Sequence, residues 1–183
     1  MTEALKYDDF VYHTYDEYVE WEDRWELIDG IAYAMSPAPY PKHQKLAFSI
    51  AKELDNSLKC IDKNCSVYIS PVDWKVNDTT VVQPDVAIFC EETSNQYFSK
   101  TPPLVVEVLS KATALKDVTV KFELYQKEGV EFYLIIDPDT NRCDIFQLID
   151  GSYQLLDKIT TAKTYSFELS DGYITPLTNN LNF

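Results

Sequence analysis

The segment Leu104-Val105-Val106-Glu107-Val108-Leu109 constrains this chain more than any other, because its apolar residues are consecutive rather than alternate. A strand with one wet face alternates apolar and polar residues, whereas an unbroken apolar run of this length reads as a central strand covered on both faces. Pro84-Asp85-Val86-Ala87-Ile88-Phe89 has the same character and reads as a second central strand. A chain of 183 residues is long enough to cover such a sheet within one compact domain, residues 1–183, without help from metals or disulfides.

The rest of the sequence supplies the cover. Thr14-Tyr15-Asp16-Glu17 matches a capping box and predicts a short helix from about Tyr15 to Asp23. Trp25 to Ile28, Asp29-Gly30 and Ile31 to Met35 read as strand, tight turn and strand. After the proline-rich stretch Ser36 to Pro41, the apolar residues Leu46, Ile50, Leu54 and Leu58 recur every fourth position, with Ala47 and Ala51 beside them, and predict one face of a helix. Shorter strands are expected at Val67 to Ile69, Val72 to Val76 and Val81-Val82. A second helix is expected from Ala114 to Glu128, with Leu115, Val118, Phe122 and Tyr125 on one face and Gly129 as its stop. Glu131 to Ile136 is again a strand, so Leu104 to Ile136 forms a strand-helix-strand unit whose two strands should pair in parallel. Further strands near Asp144 to Leu148 and Tyr153 to Leu156 complete an α/β chain of the α+β type, with a mixed sheet flanked by helices.

Composition narrows the compartment and the partners. Met1 to Phe10 lack the basic-then-apolar order of a secretory signal, and no uncharged apolar run is long enough to span a bilayer, so a soluble cytoplasmic protein with no membrane partner is expected. Cys60, Cys65, Cys90 and Cys143 form no C-x-x-C pair and read as reduced packing thiols, with a Cys60–Cys65 bond left open. Thirty acidic against 16 basic residues give a net charge of −14, which counts against a broad grip on a nucleic-acid backbone. Any basic face must be local, around Lys42, Lys45, Lys52 and Lys59 or around Lys111, Lys116 and Lys121.

Glu107 carries the chemistry, since an unpaired carboxylate inside an apolar strand costs several kcal/mol, to an order of magnitude, and is normally paired, protonated or bound to a cation. Asp85 opens the other central strand, and if the two strands are neighbours their carboxylates can converge on one hard cation, magnesium or manganese. Lys121 lies at the margin of the apolar stripe of the second helix, where its stem can lie along the sheet and its ammonium can reach the carboxylates. The plain alternative is an exposed Asp117–Lys121 pair one helical turn apart, worth a few tenths of a kcal/mol.

Together, Pro84-Asp85, Glu107 and Lys121 resemble the PD-(D/E)XK nuclease core with its restriction-endonuclease-like fold, and more narrowly the endonuclease family called Uma-two. The resemblance runs in order from about Tyr15 to Leu148, through Trp25 to Gly30, Ser36 to Pro39 with His43, Gln83 to Val86, Pro103 to Ser110, and Glu131 to Pro138. The parent motif places lysine two residues after the glutamate, where this chain has Leu109, so the resemblance implies that the lysine has moved to Lys121. Lys111 is a rival just beyond the strand. The resemblance also implies that the Val108 carbonyl joins Asp85 and Glu107 as a metal ligand, and that Glu26, Gln83 and His43 belong to the site. Glu26 as an exposed strand residue, Gln83 as a strand-end group and His43 as a first-turn residue are the alternatives. The expected function is a magnesium- or manganese-dependent endonuclease that hydrolyses phosphodiester bonds in DNA, working as a homodimer with an interface near Tyr165 to Leu169. The competing expectation is a catalytically inactive nuclease fold that acts as an interaction module.

Overall fold

The computed structural model of the chain describes residues 11–35, 40–58, 64–91, 96–110, 114–160, 164–169 and 174–178. Its centre is a six-stranded sheet of β3 (Cys65–Ile69), β6 (Val86–Cys90), β7 (Leu104–Val108), β8 (Phe132–Asp137), β9 (Arg142–Ile149) and β10 (Ser152–Ile159), in spatial order β10-β9-β8-β7-β6-β3. The two apolar runs, β6 and β7, are inner strands and pair antiparallel, while β7 and β8 pair in parallel. The remaining pairs of this sheet are antiparallel.

Because side chains alternate across a strand, β7 divides its residues between two cores. Leu104, Val106 and Val108 face α2 (Pro41–Ser57) and pack with its Leu46, Ile50 and Leu54. Val105 faces the other way, into a core formed with Ala87, Phe89, Tyr133, Ile135 and Tyr125 of α4 (Val120–Lys127). Alternation sends Glu107 to that second side as well. Over this side lies a four-stranded sheet, ordered β2-β1-β5-β4, of β1 (Trp25–Ile28), β2 (Ile31–Ala34), β4 (Trp74–Asn77) and β5 (Thr80–Val82); its Ile28, Trp74 and Val82 join the same core.

Three expectations change in the structure. Helix α1 is only Tyr15–Tyr18, although the Thr14 N–H donates to Glu17 Oε2 at 2.9 Å as a capping box requires. The chain leaves the helix once Tyr18 is turned inward, and Asp23, at φ 66, redirects it into β1. The helix expected from Ala114 to Glu128 is broken at Thr119 into α3 (Ala114–Val118) and α4. Val118-Thr119-Val120 is a β-branched run with poor helix propensity, and the Thr119 hydroxyl donates to the Leu115 carbonyl in competition with the backbone. The break rotates the expected stripe, so that Leu115 and Val118 are 76% and 43% exposed while Asp117 is buried. Cys65 and Cys90 face each other across β3 and β6 and form a disulfide; the proximity arises from strand pairing, which cysteine spacing does not reveal. Cys143 is a free buried thiol as read, and Cys60 lies outside the described residues.

The C-terminal hairpin pairs β11 (Thr164–Glu168) with β12 (Ile174–Thr178). Phe167 and the following Leu169 are buried in the α2-side core of their own chain, so these two apolar groups are not free to form a subunit interface. No helix among the described residues is long and apolar enough to cross a membrane.

The two helical regions should respond oppositely to truncation. Ile50→Ala, at a fully buried position of α2, should lose about 2–5 kcal/mol of unfolding free energy in a urea titration. Leu115→Ala should stay within about 0.5 kcal/mol, as for an exposed residue.

Candidate active site

The register of β6 and β7 pairs Val86 with Val106; continuing it by one residue sets Asp85 opposite Glu107. Both carboxylates therefore stand at the same end of the central strand pair, near enough for the charge of Asp85 to act on Glu107, although Asp85 is held from the α2 side and Glu107 faces α4. Asp85 is fixed by the Val108 N–H, which donates to its Oδ2 at 2.8 Å, and by His43 Nε2 of α2 at 3.1 Å from the same oxygen.

Lys121 occupies the middle of the site. Its Nζ lies 2.8 Å from Glu107 Oε1, 2.8 Å from Glu26 Oε1 and 3.9 Å from Asp117 Oδ1, and the residue is 2% exposed. The Thr119 break makes this possible, since it turns both Asp117 and Lys121 toward the sheet and removes the exposed-pair alternative. Glu26, on β1, is fully buried, which overturns its reading as an exposed strand residue. Its Oε1 also accepts the Gln83 N–H at 2.8 Å, and its Oε2 accepts from Lys116. Tyr125, one turn after Lys121, donates its hydroxyl to Glu107 Oε1 at 2.8 Å. The Tyr133 hydroxyl ties down the Asp117 carbonyl at 2.9 Å.

The charges are unevenly balanced. Burial pushes the Glu26 carboxyl up, but Lys121 and Lys116 outweigh it and hold the group below the ordinary glutamate value. Glu107 has one lysine and three acidic neighbours: burial first, then the charges of Asp85, Asp117 and Glu26, raise its pKa well above the ordinary value against the pull of Lys121. Asp85 is also driven up by burial, yet the hydrogen bond and charge of His43 leave it lowered. Burial opposes the charge on His43, but Asp85 and the Val108 backbone raise its pKa overall. Lys121 remains a cation, because Glu107, Glu26 and Asp117 together exceed its desolvation.

Two sets of contacts result, Asp85 with His43 and the Val108 N–H, and Lys121 with Glu107, Glu26 and, through Glu26, the Gln83 backbone; between them the charges of Asp85 and Glu107 act on each other. The Gln83 side chain leads away from both, accepting from Arg24 and donating to Asp73. Lys111 lies outside the described residues. Sequence reasoning did not single out Lys116 as a site residue, and it missed Tyr125 and the inward turn of Asp117. The i, i+4 spacing of Lys121 and Tyr125 was the available signal for the tyrosine.

Oxygen donors of the Asp85 and Glu107 kind suit a hard cation. No group of three or more His, Cys, Asp or Glu side chains among the described residues is placed to hold a metal ion by itself. Such a donor set fits magnesium, which binds through one or two carboxylates and keeps several waters, better than an ion needing a full protein cage.

A mixed sheet with one central parallel pair, carrying carboxylates and a lysine at one end, defines the class of restriction-endonuclease-like folds. A crystal structure described as a "putative nuclease" from Anabaena variabilis has the same fold, with a TM-score of 0.65 at 18% identity over 82% of this chain and 87% of that one. The chain belongs to the Uma2 family, described as "Putative restriction endonuclease", which matches residues 15–174. It is also similar to the uncharacterized protein slr1290 of Synechocystis sp., at 28% identity over 158 residues, covering 79% of this chain and 82% of that protein.

Removing Lys121 should be far more harmful than neutralising Glu107. Lys121→Met leaves buried carboxylates facing one another and should lose about 3–5 kcal/mol of stability. Glu107→Gln keeps an acceptor for Lys121 and Tyr125 and relieves the surplus charge. A glutamate whose folded pKa exceeds its unfolded one stabilises at low pH, and that contribution is lost as pH rises above the ordinary carboxylate value toward the folded one. Unfolding titrations without added metal should therefore show the Glu107→Gln variant gaining on the wild type as pH rises above the ordinary glutamate value. A constant difference would contradict the charge balance described.

Proposed function

We propose that this protein is a magnesium- or manganese-dependent endonuclease that hydrolyses phosphodiester bonds in DNA. The observation that carries the reading is the buried Lys121 between Glu107 and Glu26, with Asp85 opposite Glu107 in register, inside a sheet that is otherwise apolar. Asp85 and Glu107, with the Val108 carbonyl, would hold the cation. When bound, it would lower the pKa of a water and offset charge growing on the phosphate oxygens.

The chain's own groups have distinct parts. Lys121 stays protonated, so it serves as a fixed positive charge toward a phosphate rather than as a base. Glu26 and Tyr125 set the positions of Lys121 and Glu107. His43 holds Asp85 from the α2 side and lines a cavity of about 530 Å3, with Lys42, Leu109 and Ser110, beyond the end of β7. Asp137 and Asp139 line it as well, so Lys42 and His43 face two carboxylates there.

The net charge favours a second reading, a non-catalytic interaction module on the same fold. Plasmid and linear DNA incubated across magnesium and manganese concentrations separate the two. The wild type should nick DNA, and Asp85→Ala, Glu107→Ala and Lys121→Ala should each lose about 100-fold or more of that activity. Equal cleavage by all four proteins would reject the site. Magnesium should also raise the melting temperature of the wild type and not that of the Asp85→Ala variant, a readout independent of cleavage.

A further inference from the structure

Lys116 is the second lysine on Glu26, and the proposed chemistry leaves it without a task. It stands on α3, five residues before Lys121. In one unbroken helix, positions five apart lie about 140° apart around the axis, on different faces. The break at Thr119 removes that divergence, and both ammonium groups meet one carboxylate. Glu26 divides its oxygens between them: Oε1 accepts from Lys121 and the Gln83 N–H, and Oε2 accepts from Lys116.

Lys116 is also enclosed. Its side chain is 11% exposed, although lysine is among the residues least often buried. Its Nζ lies 5.9 Å from the centre of the Tyr33 ring, and Tyr33 is the cross-strand neighbour of Glu26 in the β1–β2 pair. The ammonium is held beside that ring and on Glu26 Oε2 rather than extended into solvent, so its charge acts on Glu26 and not on an incoming phosphate.

The position of Lys121 depends on this arrangement. Its Nζ stands 2.8 Å from Glu107 Oε1 and 2.8 Å from Glu26 Oε1, an even division. Without Lys116, Glu26 Oε2 would be a buried anionic oxygen with no lysine on it, because Lys121 and the Gln83 N–H both go to Oε1. An uncompensated buried charge is strongly unfavourable. Of the two lysines whose charges act on Glu26, Lys121 would remain, and its ammonium would be drawn onto Glu26 and away from Glu107.

We propose that Lys116 is a positioning residue, which satisfies Glu26 Oε2 and thereby keeps the Lys121 ammonium on Glu107, where it can face a phosphate. This role rests on the nuclease reading for the reaction that Lys121 serves, whereas the placement of Lys121 does not.

Steady-state cleavage of a DNA duplex carrying fluorescein and a quencher, in saturating magnesium, tests this together with a crystal structure of Lys116→Met. Lys116→Met should lower kcat about tenfold or more with KM little changed, because the reacting charge is misplaced while no substrate contact is lost. Lys116→Arg, whose guanidinium also pairs with a carboxylate, should recover most of the rate. In the crystal of Lys116→Met the Lys121 ammonium should have left Glu107 for Glu26. In a Glu26→Gln background there is no charge for Lys116 to offset, so adding Lys116→Met should cost little further activity. That double variant carries the test if Lys116→Met alone does not fold. An unchanged kcat, a rise in KM alone, a further loss in the double variant, or Lys121 still on Glu107 in the crystal would overturn the proposal. A wild type that cleaves no DNA would remove the nuclease reading, and the crystal structure would then decide by itself whether Lys116 sets the place of Lys121.

Discussion

Lys121 is where the two halves of the structure meet. Its ammonium is shared between Glu107, from the centre of the six-stranded sheet, and Glu26, from the smaller sheet laid over it, while Asp117 supplies a third charge from the helix itself. Without that cation the core facing α4 would enclose several carboxylates with only the peripheral Lys116 and His43 to offset them. The break at Thr119 is part of the same arrangement. A continuous helix would hold Leu115 and Val118 against the sheet; the interrupted one exposes them and delivers Asp117 and Lys121 instead.

The charge is compensated unequally, and the inequality has a direction. Glu26 accepts from two lysines and a backbone N–H, whereas Glu107 has one lysine and a tyrosine hydroxyl. The acidic surplus therefore collects at Glu107, next to Asp85. The apolar walls of β6 and β7 keep water out, so these charges act on one another with little screening.

Much of this was legible in the sequence where a residue contradicted its surroundings. Glu107 stood out because five apolar neighbours required its burial, Asp85 because it opened the adjoining apolar run, and the β7–β8 parallel pair because a helix separates the two strands. What depended on contacts between distant segments was not legible. Glu26 sits in a half-polar strand whose local pattern fits exposure; only the packing of one sheet on the other buries it. The Thr119 break escaped notice because the apolar spacing from Leu115 to Tyr125 is sound for a helix, and the β-branched triplet that defeats it is a weaker signal. Tyr125 was read as a core ring, which it is, but its hydroxyl has a second duty. The Cys65–Cys90 bond follows from strand register, and no spacing rule anticipates it.

That bond bears on an edge strand, which is otherwise held by its ladder with β6 and its packing on the α2-side core. β3 is the outermost member of its sheet, with Tyr68 and Ile69 partly exposed at 38% and 45%, and Cys65 is its one buried position. The link closes a separation of 25 residues, a loop for which chain-entropy arguments assign roughly 3 kcal/mol. Were β3 to peel away, the outer flank of β6 would present a row of unsatisfied amide and carbonyl groups, the usual template for pairing with a foreign chain. The covalent clasp thus guards the molecule's solubility as much as its stability.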